Sequence, residues 1–462
     1  EQAIWCQNRE EKWGEWYKQE QSRGRMLIRL ELAKSLIPWN YFYHVYTLDF
    51  RGRAYTTCEL LSPQSSDFDK GLIMFAKGAE LTDRGRWWQK IHLANLFDKD
   101  KLPFKERVKW VDNNWEMINA IAEDPYENRE WIDDSIKKNK SFQRLASIFD
   151  ITRDDGYTYV PVQVDGKCNG NQHWSAIMGD EPIAKLTGII PSDEPHDLYQ
   201  YVADKTTEYC AKATDTSGWL RRFLAHWNNV IDRKVTKRPT MCEPYGITFY
   251  GIQRYIKEEG HLSWVSKDKI GGALVELARA IKASLDVSLS GPNTGKQYLK
   301  DIVSIANNLN KHIEWTTPSG FRVVHYYNKQ QKRRSLAALF NRKELIFYVK
   351  TDDVNSREST QAISPNFIHS IDAAHMFLTL DKISFYGIID FSMIHDSYGC
   401  HANYVDLMIN CLREEFVNIH SENLLEKFKR EAENQLGVML PDPPNRGDLE
   451  LEKVLESDYF FA

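Results

Sequence analysis

At 462 residues, the chain is long enough to bury a large core and to hold two to four structural units. Hydrophobic residues make up 42% and charged residues 27%, an ordinary globular balance that excludes a fibrous or disordered chain, and the sequence contains no run of about eighteen apolar residues suited to a membrane span. The formal net charge of −5 excludes a chain that is basic throughout, although a basic groove can lie on an acidic surface.

Residues 1–36 are rich in Glu, Arg and Lys, with Trp5, Trp13, Trp16, Leu27, Leu30 and Leu32 interspersed, and they predict helix. Residues 41–56 alternate aromatic or β-branched residues with others and predict a strand. Residues 82–150 look helical. Pro103 suits a first helical turn, and Phe104, Val108, Val111, Trp115, Ile118 and Ile121 follow at steps of three and four, the packing face of a helix. Residues 158–165 alternate as a strand that ends in a carboxylate. Helical composition returns over 196–260, interrupted by Pro239 and Pro244, and again over 272–312. Residues 320–350 carry β-type runs around the basic stretch Lys329 to Arg334 and predict a long hairpin. Residues 389–400 predict two short strands with His395–Asp396 at the turn, and 403–433 an amphipathic helix. The sum is an α+β, helix-dominated chain with a small antiparallel sheet. Seven cysteines without a CxxC pair suggest neither a disulfide framework nor a zinc site and fit a reducing cytoplasm; no signal peptide pattern is visible.

Three segments could carry chemistry. Asp165 stands at a strand end before GKCNGNQH, a good place for a hard cation, although an aspartate before glycine is also an ordinary turn residue. Asp396 in SMIHDSYG is a carboxylate at a hairpin turn. On adjacent strands the two carboxylates could clamp two divalent ions, one activating an attacking hydroxyl and one holding a leaving pyrophosphate. Between them, Arg233, Lys237, Met241 and Tyr245 fall at i, i+4, i+8 and i+12, so a continuous helix would line up two cations and an aromatic. Cations suit a triphosphate, and a tyrosine suits a base or a sugar; a solvated basic face with a buried tyrosine is the plainer alternative. Pro239 and Pro244 argue against one ideal helix. If the helix starts near Arg238 instead, Arg233 comes from the preceding element.

Together these segments resemble the single-subunit, phage-type RNA polymerase family of bacteriophages and mitochondria. VDGKCNGNQHWSAI is similar to that family's motif A, RKVTKRPTMCEPYG to motif B and IHDSYG to motif C. LDFRGRAY, KGLIMFAKGAEL, EWTTPSGF, SPNFIHSIDAAH and LESDYFFA are similar to further family segments in the same order, so the resemblance spans roughly residues 45–462. It implies a right-hand polymerase fold. Residues 1–40 would form a partial thumb, 41–185 the first part of the palm with a helical insertion, 186–365 the fingers, and 366–462 the second part of the palm with a C-terminal tail. The basic hairpin at 322–352 falls where the family keeps its promoter-specificity loop.

The resemblance also implies roles. Asp165, the Gly166 backbone and Asp396 would bind two magnesium ions (Mg2+). Arg233 and Lys237 would contact the incoming triphosphate, with Lys237 placed to protonate or neutralise the leaving pyrophosphate. Tyr245 would help select a ribonucleotide. His369 and Arg53 match positions near the nascent RNA and substrate, and Tyr199 a tyrosine near the substrate site. Related DNA polymerases place a glutamate five residues after the motif A aspartate, where it would clash with a ribose 2′-hydroxyl. That position is Gly170, and the gate looks open.

The partners implied are a DNA template, nascent RNA and nucleoside triphosphates. Family members carry a large N-terminal domain, and only about 45 residues precede the first matching segment here. Removal of that domain, its omission, or its supply by a second polypeptide would each explain this. The last is preferred, with promoter opening then depending on that partner or on a single-strand-binding factor. The cytoplasm of an infected bacterial host is the expected location, and an organelle matrix the alternative. The expected activity is DNA-directed RNA synthesis. The competing readings are a DNA polymerase or primase of the same fold, or a catalytically inactive nucleic-acid-binding subunit.

Overall fold

A computed structural model of the chain describes residues 23–132, 140–213, 218–337 and 343–462. The expected helix at the start is therefore described only as 23–36, and the first part of that expectation, with Trp5, Trp13 and Trp16, lies outside the described residues, as does the hairpin tip 338–342. The chain divides into two compact units. Unit 1 comprises Glu1–Thr47, Ala54–Val164 and Ile388–Asp406, and unit 2 comprises Leu48–Arg53, Asp165–Gly387 and Leu407–Ala462. Helices dominate, with short antiparallel ladders between them, as the sequence predicts. Among the described residues no helix is long and apolar enough to cross a membrane, and Cys58, Cys168, Cys210, Cys242, Cys400 and Cys411 are free thiols.

In unit 1 the apolar stripe after Pro103 forms as expected but is cut in two. Helix Phe104–Asn113 ends and Trp115–Glu123 begins at Asn114, whose side-chain amide donates to the Trp110 carbonyl at 2.7 Å. A side chain that bonds the backbone competes in this way with helix continuation. Val111, Ile118 and Ile121 still face inward with Leu93 and Ile148, each fully buried side chain contributing roughly 1.5–3 kcal/mol.

The strand expected over 41–56 is a hairpin, Tyr46–Leu48 with Ala54–Thr56. The Asp49 carboxylate turns the chain by accepting the Arg51 and Arg53 amides at 2.9 and 3.0 Å. Gly52 adopts φ +90 there, a region glycine enters at no steric cost. The strand expected over 158–165 is interrupted over Tyr159–Pro161 into Tyr157–Thr158 and Val162–Asp165, because the Asp150 carboxylate accepts the Tyr159 and Val160 amides and proline cannot donate to a ladder.

A three-stranded sheet carries the later hairpin, in the order Ser392–Ile394, Ser397–Cys400, Val162–Asp165. The first two strands pair antiparallel, Ile394 opposite Ser397, which leaves His395–Asp396 as a two-residue turn. Gln163 ties the sheet laterally. Its Nε2 donates to the Ser392 hydroxyl at 2.9 Å, and its Oε1 accepts from the Ser397 hydroxyl at 3.0 Å.

Unit 2 has two apolar clusters. One gathers helices Asn169–Met178, Ser290–Asn308, Ser356–Ser384 and Leu424–Leu436 around Trp174, Trp315, Phe367 and Phe428. The other gathers Leu198–Lys212, Trp219–His226, Arg233–Cys242, Phe249–Glu258 and Ile270–Ser288 around Phe223, Val235, Ile252 and Leu277. The basic hairpin pairs Asn328–Ala337 with Lys343–Val354, after a separate short ladder of Ile313–Thr316 with Arg322–His325. The amphipathic helix expected over 403–433 is two helices, Val405–Ser421 and Leu424–Leu436.

Candidate nucleotide site

Helix Asn169–Met178 opens at Cys168, whose backbone is left-handed at φ 57, and all ten of its residues are buried. Just before it, the Asp165 carbonyl accepts the Ala462 amide at 3.3 Å, and Gly166 bridges Phe461. The C-terminal residues thus back the segment that carries Asp165. One turn into the helix, Gly170 meets the segment that follows the basic helix. A β-carbon at Gly170 would stand 2.9 Å from Pro244 Cβ and 2.9 Å from the Tyr245 hydroxyl, so only glycine fits without displacement.

The basic helix runs Arg233–Cys242 with Pro239 inside it, and a 3-10 turn, Glu243–Tyr245, continues it. Asp232 starts it by accepting the Lys234 amide at 2.9 Å. A start near Arg238 is therefore not what forms, and Arg233 and Lys237 belong to one helix. Both lie against Tyr199. The Arg233 guanidinium carbon is 5.2 Å from the ring centroid and the Lys237 ammonium 5.9 Å, within cation–π range. Arg233 also pairs with Asp197 at 2.5 Å, and Asp197 caps the helix that carries Tyr199. Burial, and then Cys168, push the Tyr199 phenol far above its ordinary value, so it stays neutral beneath the two cations.

The third cluster joins the tip of the 46–56 hairpin to helix Ser356–Ser384. Arg53 donates to Asp372 Oδ2 from Nε at 3.1 Å and Nη2 at 2.5 Å, and Asn169 donates to Oδ1 at 2.5 Å. Arg51 lies 2.8 Å from His369 Nδ1. A guanidinium cannot accept, so Nδ1 is the acceptor and the imidazole proton sits on Nε2. Burial, reinforced by the Arg53 and Arg51 cations, draws the His369 pKa down to about 3. The neutral ring stands 4.6 Å, centroid to centroid, from Tyr245.

Burial pushes the Asp372 carboxyl upward, but Arg53, His173 and His369 outweigh it and hold it below the usual carboxylate range. Its contribution to stability is therefore present above the unfolded value of about 3.9 and fades as pH falls through the lower folded value. Arg53→Met, which leaves this carboxylate buried without its cation, is expected to destabilise the chain by roughly 3–5 kcal/mol at pH 7. The deficit should shrink below about pH 4, because the folded variant, its carboxyl raised by burial without Arg53, takes up a proton before the folded parent does. Urea unfolding midpoints at the two pH values measure this, and a deficit independent of pH would contradict it.

In unit 1, Asp396 occupies its turn after His395, which is left-handed at φ 54 and packs edge-on against Tyr55 with ring centroids 4.8 Å apart. Asp165 is exposed, and among the described residues no cation pairs with its carboxylate. Carboxylate and backbone oxygens are the hard donors that magnesium takes, and magnesium completes its octahedron with water and phosphate. Among the described residues no cluster of three or more His, Cys, Asp or Glu side chains is placed to hold a metal. The donor chemistry thus fits magnesium held by few protein ligands, and fits poorly a fully enclosed ion.

Of the residues singled out in the sequence, Arg53, Asp165, Gly166, Gly170, Tyr199, Arg233, Lys237, Tyr245 and His369 lie in unit 2, and Asp396 lies in unit 1. The structure groups Tyr199 with Arg233 and Lys237, and Tyr245 with Gly170 and His369. It shows Arg53 engaged with Asp372. Sequence reasoning missed Asp372, Arg51 and Asn169. The only available signal was Asp372 lying three residues after His369, on one helix face.

A family model described as DNA-dependent RNA polymerase matches residues 79–439. "DNA-directed RNA polymerase 1, mitochondrial" of Nicotiana sylvestris is 32% identical over 457 residues, 94% of this chain and 44% of that one. The mitochondrial DNA-directed RNA polymerase of Schizosaccharomyces pombe is 31% identical over 489 residues, 94% of this chain and 41% of its own. "DNA-directed RNA polymerase 1, mitochondrial" of Arabidopsis thaliana is 30% identical over 458 residues, 94% and 45% respectively. The chain thus spans less than half the length of these relatives. The POL domain of Pol1 from M. smegmatis, solved with DNA primer-template and dNTP, aligns with a TM-score of 0.32 and 14% identity over 65% of this chain and 52% of that one, too distant to bear on fold or function.

Proposed function

The chain belongs to the DNA-dependent RNA polymerase family, and from that premise we propose that it synthesises RNA on a DNA template from ribonucleoside triphosphates, in a right-hand arrangement of palm, fingers and partial thumb. The observation that carries this reading is the grouping in unit 2 of two cations one helical turn apart with a tyrosine packed on a glycine. A triphosphate needs the cations, and the glycine at position 170 leaves room for Tyr245, the residue proposed to read the sugar, where a larger side chain would displace it.

In the reaction the 3′-hydroxyl oxygen of the RNA bonds to the α-phosphorus of the nucleotide, the bond from that phosphorus to the bridging oxygen breaks, and pyrophosphate leaves. Lys237 would neutralise or protonate the pyrophosphate, and Arg233, held by Asp197, would orient the phosphates. Tyr245 would read the sugar. His369, neutral with its proton on Nε2, would offer a donor to the RNA or the nucleotide, and Arg53 would support it through Asp372. Tyr199 would hold the two cations apart. Asp165, Gly166 and Asp396 would hold two magnesium ions, which supply a lowered hydroxyl pKa and charge neutralisation on the phosphates. The exposed basic stretch Lys329–Arg334 would meet DNA, and a local run of cations is compatible with a formal charge of −5 over the whole chain.

The expected second polypeptide finds no support among the relatives, in which the length beyond the match lies in the same chain. Their names place them in mitochondria or chloroplasts, which favours an organelle matrix over a bacterial host. The test is extension of an RNA primer on a DNA template by the 462-residue chain, with magnesium and either ribonucleotides or deoxynucleotides. Ribonucleotide-dependent extension is expected. Preferential use of deoxynucleotides would make the chain a DNA polymerase, and template binding without extension by either would make it a binding subunit.

A further inference from the structure

The backbone that presents Tyr245 is poorly held by its own helix. Pro239 and Pro244 carry no N–H, so two helical bonds are missing between Arg233 and Gly246. Side chains from three other helices hold the carbonyls of Glu243 and Pro244 instead. Trp174 Nε1 donates to the Pro244 carbonyl at 3.1 Å and the Ser364 hydroxyl donates to it at 2.8 Å. The Lys296 ammonium, on helix Ser290–Asn308, donates to the Glu243 carbonyl at 2.6 Å and to the Glu243 carboxylate Oε1 at 2.8 Å. Glu243 is 2% exposed and Lys296 4%, so this ion pair is almost wholly withdrawn from water.

A second cation, Lys282, reaches the same Oε1 at 3.3 Å from a more exposed position. Among the described residues the other oxygen, Oε2, has no hydrogen-bond partner. The carboxylate is therefore held from one side only, by lysines. A buried pair of this kind adds little to stability relative to a well-packed apolar pair, and its best-attested use is to fix one arrangement against others. Here the arrangement fixed is the two-residue step from Glu243 to Tyr245. Beyond it Gly246 turns left-handed at φ 78, and its amide returns to the same Glu243 carbonyl at 2.9 Å.

We propose that Lys296, through its buried bonds to Glu243, is a positioning residue that sets where the Tyr245 ring stands and so sets discrimination between ribose and deoxyribose. This rests on the reading of Tyr245 as the residue that senses the sugar. Lys296 touches neither nucleotide nor template. It acts through the Glu243 carbonyl and carboxylate, and its effect falls on selectivity.

The test compares three variants of the full chain in RNA-primer extension, reading the ratio of kcat/KM for a ribonucleotide to that for the matching deoxynucleotide, together with melting midpoints. Lys296→Met leaves the buried Glu243 carboxylate with only the longer, more exposed contact to Lys282, so it lowers the midpoint as well. The double variant Glu243→Gln/Lys296→Met removes both charges at similar volume and recovers the midpoint, yet still lacks the tie to the Glu243 carbonyl. Tyr245→Phe is the control for the sugar-sensing role. A fall of about tenfold in the ratio for the double variant, as expected for a reacting group displaced by a fraction of an ångström, alongside a fall for Tyr245→Phe, supports the proposal. An unchanged ratio in the double variant with a lowered ratio for Tyr245→Phe overturns the role of Lys296 and leaves the sugar-sensing reading standing. An unchanged ratio for Tyr245→Phe overturns both. Should the double variant melt early, Lys296→Met assayed well below its midpoint makes the same comparison.

Discussion

Asp396→Asn is expected to abolish RNA synthesis while leaving the fold and template binding nearly intact. The substitution keeps size and shape and removes one negative charge. Asparagine suits a two-residue hairpin turn as well as aspartate does, and the register from Ile394 opposite Ser397 to Ser392 opposite Gly399 is one of backbone pairing. Gln163 and the two serines hold the sheet laterally whatever residue stands at the turn. A neutral amide is a much weaker ligand for a hard divalent cation than a carboxylate. Because bound magnesium contributes several kcal/mol of charge stabilisation to phosphoryl transfer, the single-turnover extension rate should fall by roughly 10³-fold or more. Raising the magnesium concentration should recover only part of this. The melting midpoint and the affinity for a primed template should stay close to those of the parent chain. A rate within tenfold of the parent would remove Asp396 from the metal site, and a collapsed midpoint would show that its role is in the fold.

Most of this arrangement was legible wherever the signal is local. Spacing at three and four found the helices, and the alternation of residues 389–400 placed His395–Asp396 at a turn, where the structure has it. The breaks were harder to read because one hydrogen bond decides each. Asn114 splits a continuous apolar stripe by bonding back to Trp110, and Asp49 folds an apparently uniform strand by accepting two amides. Pro239 misled in the other direction. It lies inside a helix that begins six residues before it, because Val235, Thr236 and Thr240 are buried and tertiary packing outweighs one missing backbone bond. The contacts that matter most to the candidate site join residues remote in sequence. Lys296 meets Glu243 across 53 positions and Arg53 meets Asp372 across 319. No periodicity carries such information.

Gly170→Ala should show how tightly that geometry constrains the site, because two effects of opposite sign compete in it. Alanine is the better helix former by up to about 1 kcal/mol, so in open space the variant would be the more stable. Here its methyl would stand 2.9 Å from Pro244 Cβ and from the Tyr245 hydroxyl. Overpacking of a filled core typically costs 1–3 kcal/mol, which outweighs the propensity gain. Pro244 cannot retreat freely, since Trp174 and Ser364 both hold its carbonyl. Tyr245 is only partly buried and is the group that yields. Its ring should swing toward His369, and ribonucleotide kcat/KM should fall by about 10²-fold, the scale of a misplacement near 1 Å. Primer extension with the matched ribonucleotide, run beside a melting curve, measures both effects. A more stable variant with kcat/KM within threefold of the parent would mean that the pocket beside Gly170 is open, and the glycine would then be an ordinary helix-start residue. A loss of activity at nearly unchanged stability would mean that the strain is relieved almost entirely through Tyr245, the one movable wall.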